Sequence, residues 1–204
     1  MNHIRYLLPA LLAVTLVLGA CSKTEEKPAS SSAPAAPVAA AEPAKRTPSV
    51  EIVSSEGKGF TVGSMMNNTV VYVFFDPQCP HCAHLWNAAI PLQKKARFVW
   101  MPVGLINPTS SAQGATLLSA ADPAQAMSEH ETSLIAGKGG ISSGTNVTDE
   151  AKQSVASNTK LFNNLGLEGV PFTVVKNART GQLATRGGSM DTATLAQLIG
   201  VDAP

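Results

Sequence analysis

The sequence of 204 residues predicts one mixed α/β domain, residues 49–204, with a helical subdomain inserted at about 107–166. Three observations predict it. Runs of β-branched and aromatic residues at 70–75, 98–103 and 172–175 have the pattern of strands buried on both faces. Between the second and third runs come segments with helix caps and apolar residues at helical spacing. Before residue 49 lies a stretch with almost no large apolar side chain, which cannot offset its own ordering entropy.

The chain opens with an export pattern. Arg5 supplies a positive start, Leu7 to Leu18 is apolar apart from Pro9 and Thr15, and Gly19 and Ala20 precede Cys21. The apolar run is too short for a comfortable bilayer span, so residues 1–20 are expected to be a cleaved signal peptide. Leu18-Gly19-Ala20-Cys21 resembles the lipobox of bacterial lipoproteins, which implies lipidation at Cys21. Ser22 after that cysteine resembles the pattern sorted to the outer membrane where a host has two membranes. Residues 21–48 then form an expected disordered tether, able to reach roughly 80 Å when extended.

In the domain, Val50–Val53 and Phe60–Val62 are expected to pair as a hairpin around Gly57 and Gly59. Val70–Phe75 is the central strand. After Asp76-Pro77-Gln78 a helix starts at the cysteine motif, tolerating Pro80 in its first turn and turning Leu85, Trp86, Ala89 and Ile90 inward until Pro91 kinks it. Phe98–Val103 is the next strand. Ser110-x-x-Gln113 reads as a capping box, Asp122-Pro123 starts a second helix, and Gly137–Gly144 is a flexible loop. A third helix carries Ala151, Val155, Phe162 and Leu165 on one face and stops at Gly166. Gly169-Val170-Pro171 leads into strand Phe172–Val175; a turn at Asn177–Gly181, a strand near Leu183–Arg186 and a helix at Asp191–Ile199 complete the chain. This order describes a thioredoxin-like fold with an inserted helical subdomain.

The net charge of +1 offers nothing to attract nucleic acid. There are three cysteines, Cys21 alone and the pair Cys79 and Cys82, so no disulfide framework staples the fold. Cys79-Pro80-His81-Cys82 at a helix start brings two sulfurs within disulfide reach. Its first cysteine meets the free amides and dipole of the helix, which favour a thiolate. The second lies deeper, placed to attack a mixed disulfide. Cys79 is therefore the candidate nucleophile and Cys82 the resolving thiol, with His81 able to lend charge or a hydrogen bond to the Cys79 thiolate. Val170-Pro171 before a buried strand fits either a cis peptide or a trans proline at the strand's first position. The fold reading selects cis, facing Cys79 and leaving the Val170 backbone to pair with a client chain.

A metal reading competes. Cys79, His81, Cys82 and His84 are dense, but downstream only His130 is available as a further histidine, so no metal site is expected and a copper or zinc carrier is the non-enzyme alternative. Position 83 is Ala, which excludes a haem-attachment motif, and no cofactor is expected. His84 reads as a surface residue, Trp86 as core, Asp76 as a turn or cap residue.

Phe75-Asp76-Pro77-Gln78-Cys79-Pro80-His81-Cys82 resembles the active-site segment of the periplasmic DsbG/DsbC family of thiol:disulfide interchange proteins. The likeness continues through Pro102–Ile106, Leu118–Pro123 and Gly169-Val170-Pro171. It implies a thioredoxin fold with a helical insert, Cys79 as nucleophile, Cys82 as resolver and Pro171 in cis. Two departures shape the expected function. Only a linker and a short hairpin precede the domain where isomerases of the family carry a dimerisation domain, so a monomer is expected. The CPHC motif and Val170 before Pro171 look like those of the oxidant DsbA. The expectation is a lipid-anchored periplasmic dithiol oxidase acting on exported cysteine-containing proteins and reset by a membrane or periplasmic redox partner. The alternatives are a disulfide reductase or isomerase and a sulfenic-acid reductase.

Overall fold

The computed structural model describes residues 45–145 and 147–204. The signal segment, Cys21 and the tether as far as residue 44 lie outside the described residues. At the sheet's centre is β2 (Val70–Phe75), whose β-branched and aromatic residues suit a strand covered on both faces. Five strands take the order β1-β3-β2-β4-β5, with β1 at Phe60–Gly63, β3 at Arg97–Pro102, β4 at Phe172–Lys176 and β5 at Leu183–Gly187. β2 and β3 run parallel, Val73 opposite Trp100 and Phe75 opposite Pro102, while the other pairs are antiparallel.

Alternation along β2 divides the core. Val71, Val73 and Phe75 face one cluster with Leu85 and Trp86 of α2 (Pro80–Ala89) and Leu195 and Ile199 of the final helix (Thr192–Ile199). Phe74 faces the other, with Val53, Leu161 and Phe162. Edge-to-face contacts link Trp86 to Trp100 at 5.1 Å and Phe74 to Phe162 at 5.7 Å.

The expected N-terminal hairpin is not formed. Val50–Glu56 is a helix, α1, capped by the Ser49 side chain, which accepts from Ile52 N at 3.3 Å. Its single fully covered residue, Val53, packs with Phe74, so tertiary burial and the cap override the β propensity of the Val-Glu-Ile-Val run. β1 pairs with β3 instead. Ile90 also departs from expectation, being 47% exposed, because α2 ends at Ala89 and tightens into a 3-10 turn at Ile90–Leu92 around Pro91.

Three helices lie between β3 and β4: α3 (Pro108–Ser119), α4 (Pro123–Ile135) and α5 (Asp149–Asn164). Asp122 caps α4, as its Asp-Pro step predicts. The α3 capping box sits one turn earlier than expected: Asn107 is the cap and Ser110 its reciprocal partner, while Gln113 turns inward. Residues 45–48, placed in the tether by composition, lie against the domain. Arg46 donates its amide to the terminal Asn164 carbonyl of α5 at 2.8 Å and its guanidinium pairs with Glu56. With Thr192–Ile199 as α6, no helix among the described residues is long and apolar enough to cross a membrane.

Candidate functional site

β2 delivers the chain to a turn built on Asp76, which is fully buried. Its Oδ1 accepts from Gln78 N at 2.8 Å, and its Oδ2 from Leu105 N at 2.7 Å and Ile106 N at 3.0 Å. One carboxylate thus holds the approach to the cysteines against the loop after β3. The turn closes with Cys79 N donating to Asp76 O at 3.0 Å.

Cys79 is the N-cap of α2 and Pro80 occupies the first helical position, where a missing N–H costs nothing. Both cysteines are free thiols; Cys79 is 4% exposed and Cys82 fully buried. The Cys79 thiol is lowered to about 7, first by a hydrogen bond from Cys82 and then by the Cys82 and His81 backbone amides, against burial and the charge of Asp76. Burial, with Cys79 close by, pushes Cys82 well above its ordinary 9.0. The stabilised sulfur is therefore the one at the helix start, and Cys82 holds its proton. His81 and Pro80 are exposed, and His81 contributes through its amide.

The Val170–Pro171 peptide is cis, and the Cys79 thiol donates to the Val170 carbonyl at 3.6 Å. Beside Val170 runs an open groove of about 640 Å³, lined by Leu165, Leu167, Gly169, Phe172 and Gly188 among others. His84 is exposed and Trp86 buried. Among the described residues no group of three or more His, Cys, Asp or Glu side chains is gathered as a metal site.

Several site residues carry no motif. Gln78 donates to the Gln113 side chain and to Gly139 O at 2.9 Å, and accepts from Asn107 at 3.2 Å. His130 is fully buried; Ile141 N donates to its Nδ1 at 3.1 Å, which leaves Nε2–H to donate to Pro77 O at 2.6 Å. Burial lowers its pKa, in keeping with this neutral form. Glu131, 1% exposed, leaves both carboxyl oxygens without a hydrogen-bond partner. Its pKa is raised to about 9 by burial and by Cys79. The sequence carries one signal for it: Glu131 continues the apolar stripe of Ala124 and Met127 on α4, where an exposed carboxylate is out of place.

No family profile matches the chain. It is 36% identical over 104 residues to the thiol:disulfide interchange protein DsbG of Escherichia coli, covering 50% of this chain and 41% of that protein. The DsbG of Pseudomonas aeruginosa is 31% identical over 134 residues, 64% of this chain and 51% of its own. The chain thus spans about half the length of the curated relatives it matches. Among solved structures, the catalytic domain of Proteus mirabilis ScsC superposes with a TM-score of 0.58 at 18% identity, covering 73% of this chain and 95% of that one. A periplasmic thioredoxin-like protein from Salmonella enterica serovar Typhimurium gives 0.56 at 15%, covering 76% and 97%. A disulfide interchange protein from Neisseria gonorrhoeae gives 0.54 at 23%, covering 70% and 93%. The chain has a thioredoxin-like fold and, over part of its length, is homologous to DsbG.

Proposed function

We propose that this protein is a thiol–disulfide oxidoreductase of exported, cysteine-containing proteins, working through Cys79 and Cys82 as a dithiol oxidase. The observation that carries the reading is the asymmetry of the pair. Cys79 favours its thiolate at a helix start beside the cis Val170–Pro171 step, while Cys82 is held as a buried thiol behind it. A client thiolate attacks Cys79 Sγ of the Cys79–Cys82 disulfide, and the electron pair of the broken S–S bond leaves on Cys82. A second client thiolate then attacks the client sulfur of the mixed disulfide and expels Cys79 as a thiolate. The client loses two electrons and the enzyme's disulfide gains them. Stabilising the departing Cys79 thiolate drives the second step, and Val170 presents backbone to the client at the point of exchange.

CPHC and Val170 before Pro171 support the oxidising direction. A second reading, a reductase or isomerase (or a reductase of sulfenic acids) in which reduced Cys79 attacks, is favoured by one observation: Cys79 stands at about 7, where the thioredoxin cysteine also lies (~7) rather than that of DsbA (~3.5). Equilibration with glutathione separates them. A potential near about −120 mV is the oxidase result; one near about −270 mV, that of thioredoxin, overturns it in favour of the second reading. Cys82→Ala is expected to trap mixed disulfides with client proteins through Cys79. Stoichiometric copper or zinc on the reduced protein would point to the metal carrier instead.

The export pattern and Cys21 support a periplasmic protein tethered by lipid, in the outer membrane where there are two membranes. Metabolic labelling with palmitate, lost in Cys21→Ala, is the expected result.

A further inference from the structure

The chain enters α2 through the turn Asp76-Pro77-Gln78-Cys79, closed by the Cys79 N–H on the Asp76 carbonyl at 3.0 Å. The soft part of such a turn is its central peptide, here Pro77–Gln78, whose tilt decides how the fourth residue is presented. Both polar ends of that peptide are held by fully buried side chains. Gln78 N donates to Asp76 Oδ1 at 2.8 Å, and the Pro77 carbonyl accepts from His130 Nε2 at 2.6 Å. Asp76 belongs to the turn itself, whereas His130 comes from α4, 53 residues along the chain from Pro77. Two other side chains of the insert, Asn107 and Gln113, bond to the Gln78 side chain; His130 bonds to the backbone of the turn.

The ring is itself fixed from behind. Ile141 N donates to Nδ1 at 3.1 Å, so Nδ1 is the acceptor and Nε2–H the donor. Ser133 ties the Gly140 carbonyl at 3.1 Å, and a Cβ at Gly140 would run into the ring, so glycine is what lets the loop close over it. With no exposed surface at His130, water does not compete for the Pro77 carbonyl. That carbonyl is buried two residues before Cys79. Left unpaired, it would keep an uncompensated negative end beside a sulfur whose thiolate is held by the His81 and Cys82 amides.

We propose that His130 is the positioning residue for Cys79: by donating to the Pro77 carbonyl it fixes the turn that presents the sulfur to the α2 amides, and through Ile141 it ties that sulfur's reactivity to the order of the 139–141 loop. This deepens the thiol–disulfide reading and rests on it. Two consequences follow from one hydrogen bond. The first is electrostatic: the Nε2–H dipole offsets the carbonyl and so favours the Cys79 thiolate over the thiol. The second is geometric. Exchange at sulfur needs the attacking, central and leaving sulfurs aligned, and Cys79 Sγ stands 3.6 Å from the Val170 carbonyl. A turn held at both ends of its central peptide keeps Sγ at that distance from the backbone where a client chain would pair. His130 touches no reacting atom; it acts through Pro77.

The test is the pH dependence of Cys79 alkylation in the reduced full chain, located by peptide mass. Two conservative variants separate the two bonds of the ring. His130→Asn places an amide oxygen near the position of Nδ1 and nothing near Nε2, so it keeps the Ile141 bond and loses the Pro77 bond. His130→Gln places an amide nitrogen near Nε2 and leaves Ile141 N without its acceptor. The Asn variant is expected to raise the Cys79 midpoint by about one unit from about 7, the scale of a single hydrogen bond. Its equilibrium with glutathione is expected to move about fivefold toward the disulfide at about pH 8, because the reduced form has lost thiolate stabilisation. The Gln variant is expected to keep both values near wild type, while its Ile141 amide exchanges hydrogen faster. An Asn midpoint equal to that of wild type overturns the proposal. So does a Gln midpoint raised as far as that of Asn, which would mark a general loosening of the fold. Wild-type protein that forms no glutathione adduct at Cys79 overturns the parent reading and this one with it; an adduct together with an unmoved Asn midpoint overturns this one alone. Should the variants not fold, the Nε2–H proton resonance of His130 in wild-type protein decides. It is expected to move as Cys79 ionises, and a signal indifferent to that ionisation overturns the proposal.

Discussion

Asp76 satisfies three backbone amides from two loops with one carboxylate, and it does so three residues before Cys79. Its charge also opposes the Cys79 thiolate. Structure and reactivity therefore pull in opposite directions at this residue. Asp76→Asn keeps one oxygen and replaces the other with a donor, leaving at least one amide unpaired, at a cost of about 2 kcal/mol. The same substitution removes a negative charge and moves the Cys79 thiol titration downward. Urea denaturation and thiolate absorbance against pH measure the two effects; an unchanged thiol midpoint would count against the electrostatic part. Sequence reading placed Asp76 correctly at a turn. It had no means to see Leu105 and Ile106, which only the fold brings to Oδ2.

At the scale of elements, α4 and the loop behind it brace the cysteine turn. Read as flexible from its glycines, the loop is tied at Gly139–Ile141: the Gln78 and Gln113 side chains donate to Gly139 O, Ser133 to Gly140 O, and Ile141 N to His130. Gly140 has φ +84°, and a Cβ there would run into the His130 ring; Gly137 has φ +71° and open space around it. The pair forms its own control. Gly137→Ala carries only the left-handed penalty, about 1–2 kcal/mol. Gly140→Ala adds a displaced His130 and a weakened Pro77 contact, and is expected to lose at least about 1 kcal/mol more, in the range of a disrupted buried hydrogen bond. Thermal unfolding of the two variants side by side measures it, and equal losses would remove His130 from the bracing role. Element positions were largely legible where the signal was local, as with the apolar run of β2 and the Asp122 and Asp191 caps. The α3 cap was misplaced because Asn107-Pro108 and Ser110 are both sound capping signals, and their difference lies in which one the chain's entry makes the first turn.

Across the whole molecule, the buried acids couple stability to pH. Glu131 is raised from 4.5 to about 9 on folding, so the native state binds its proton more tightly than the unfolded chain. Its contribution to stability is complete below about pH 4.5 and declines as pH rises toward 9, at up to about 1.4 kcal/mol per pH unit. Cys79 is shifted the other way, from 9.0 to about 7, so its contribution is present above 9 and is lost as pH falls through about 7. His130 is lowered from 6.5 by burial, so below 6.5 its contribution rises with pH and works against the loss from Glu131. The pH profile of the reduced protein is therefore expected to be flatter than Glu131 alone would give, opposed by His130 below 6.5 and by Cys79 from about 7 to 9. Glu131→Gln removes the declining contribution, so its stability is expected to rise with pH, and Cys79→Ser restores the decline from about 7 to 9. Chemical denaturation at several pH values checks both, and a Glu131→Gln profile parallel to that of the wild type would rule out the carboxyl as a source.

The CPHC pair at the start of α2 was readable along the chain, because two cysteines, a helix start and a following proline lie within one turn. The central strand and the helical insert were readable for the same reason: their signals are periodic and local. What the chain order could not disclose is which groups surround the sulfurs. Val50–Val53 folds as a helix because a cap and one buried valine outweigh strand propensity. Cys79 is poised mainly by Cys82 and backbone amides, with His81 contributing its amide. Glu131, two helices further along the sequence, reads as one more charge until packing removes its water. Burial is a property of the assembled fold, and it turns this ordinary acid into a group that holds its proton at neutral pH.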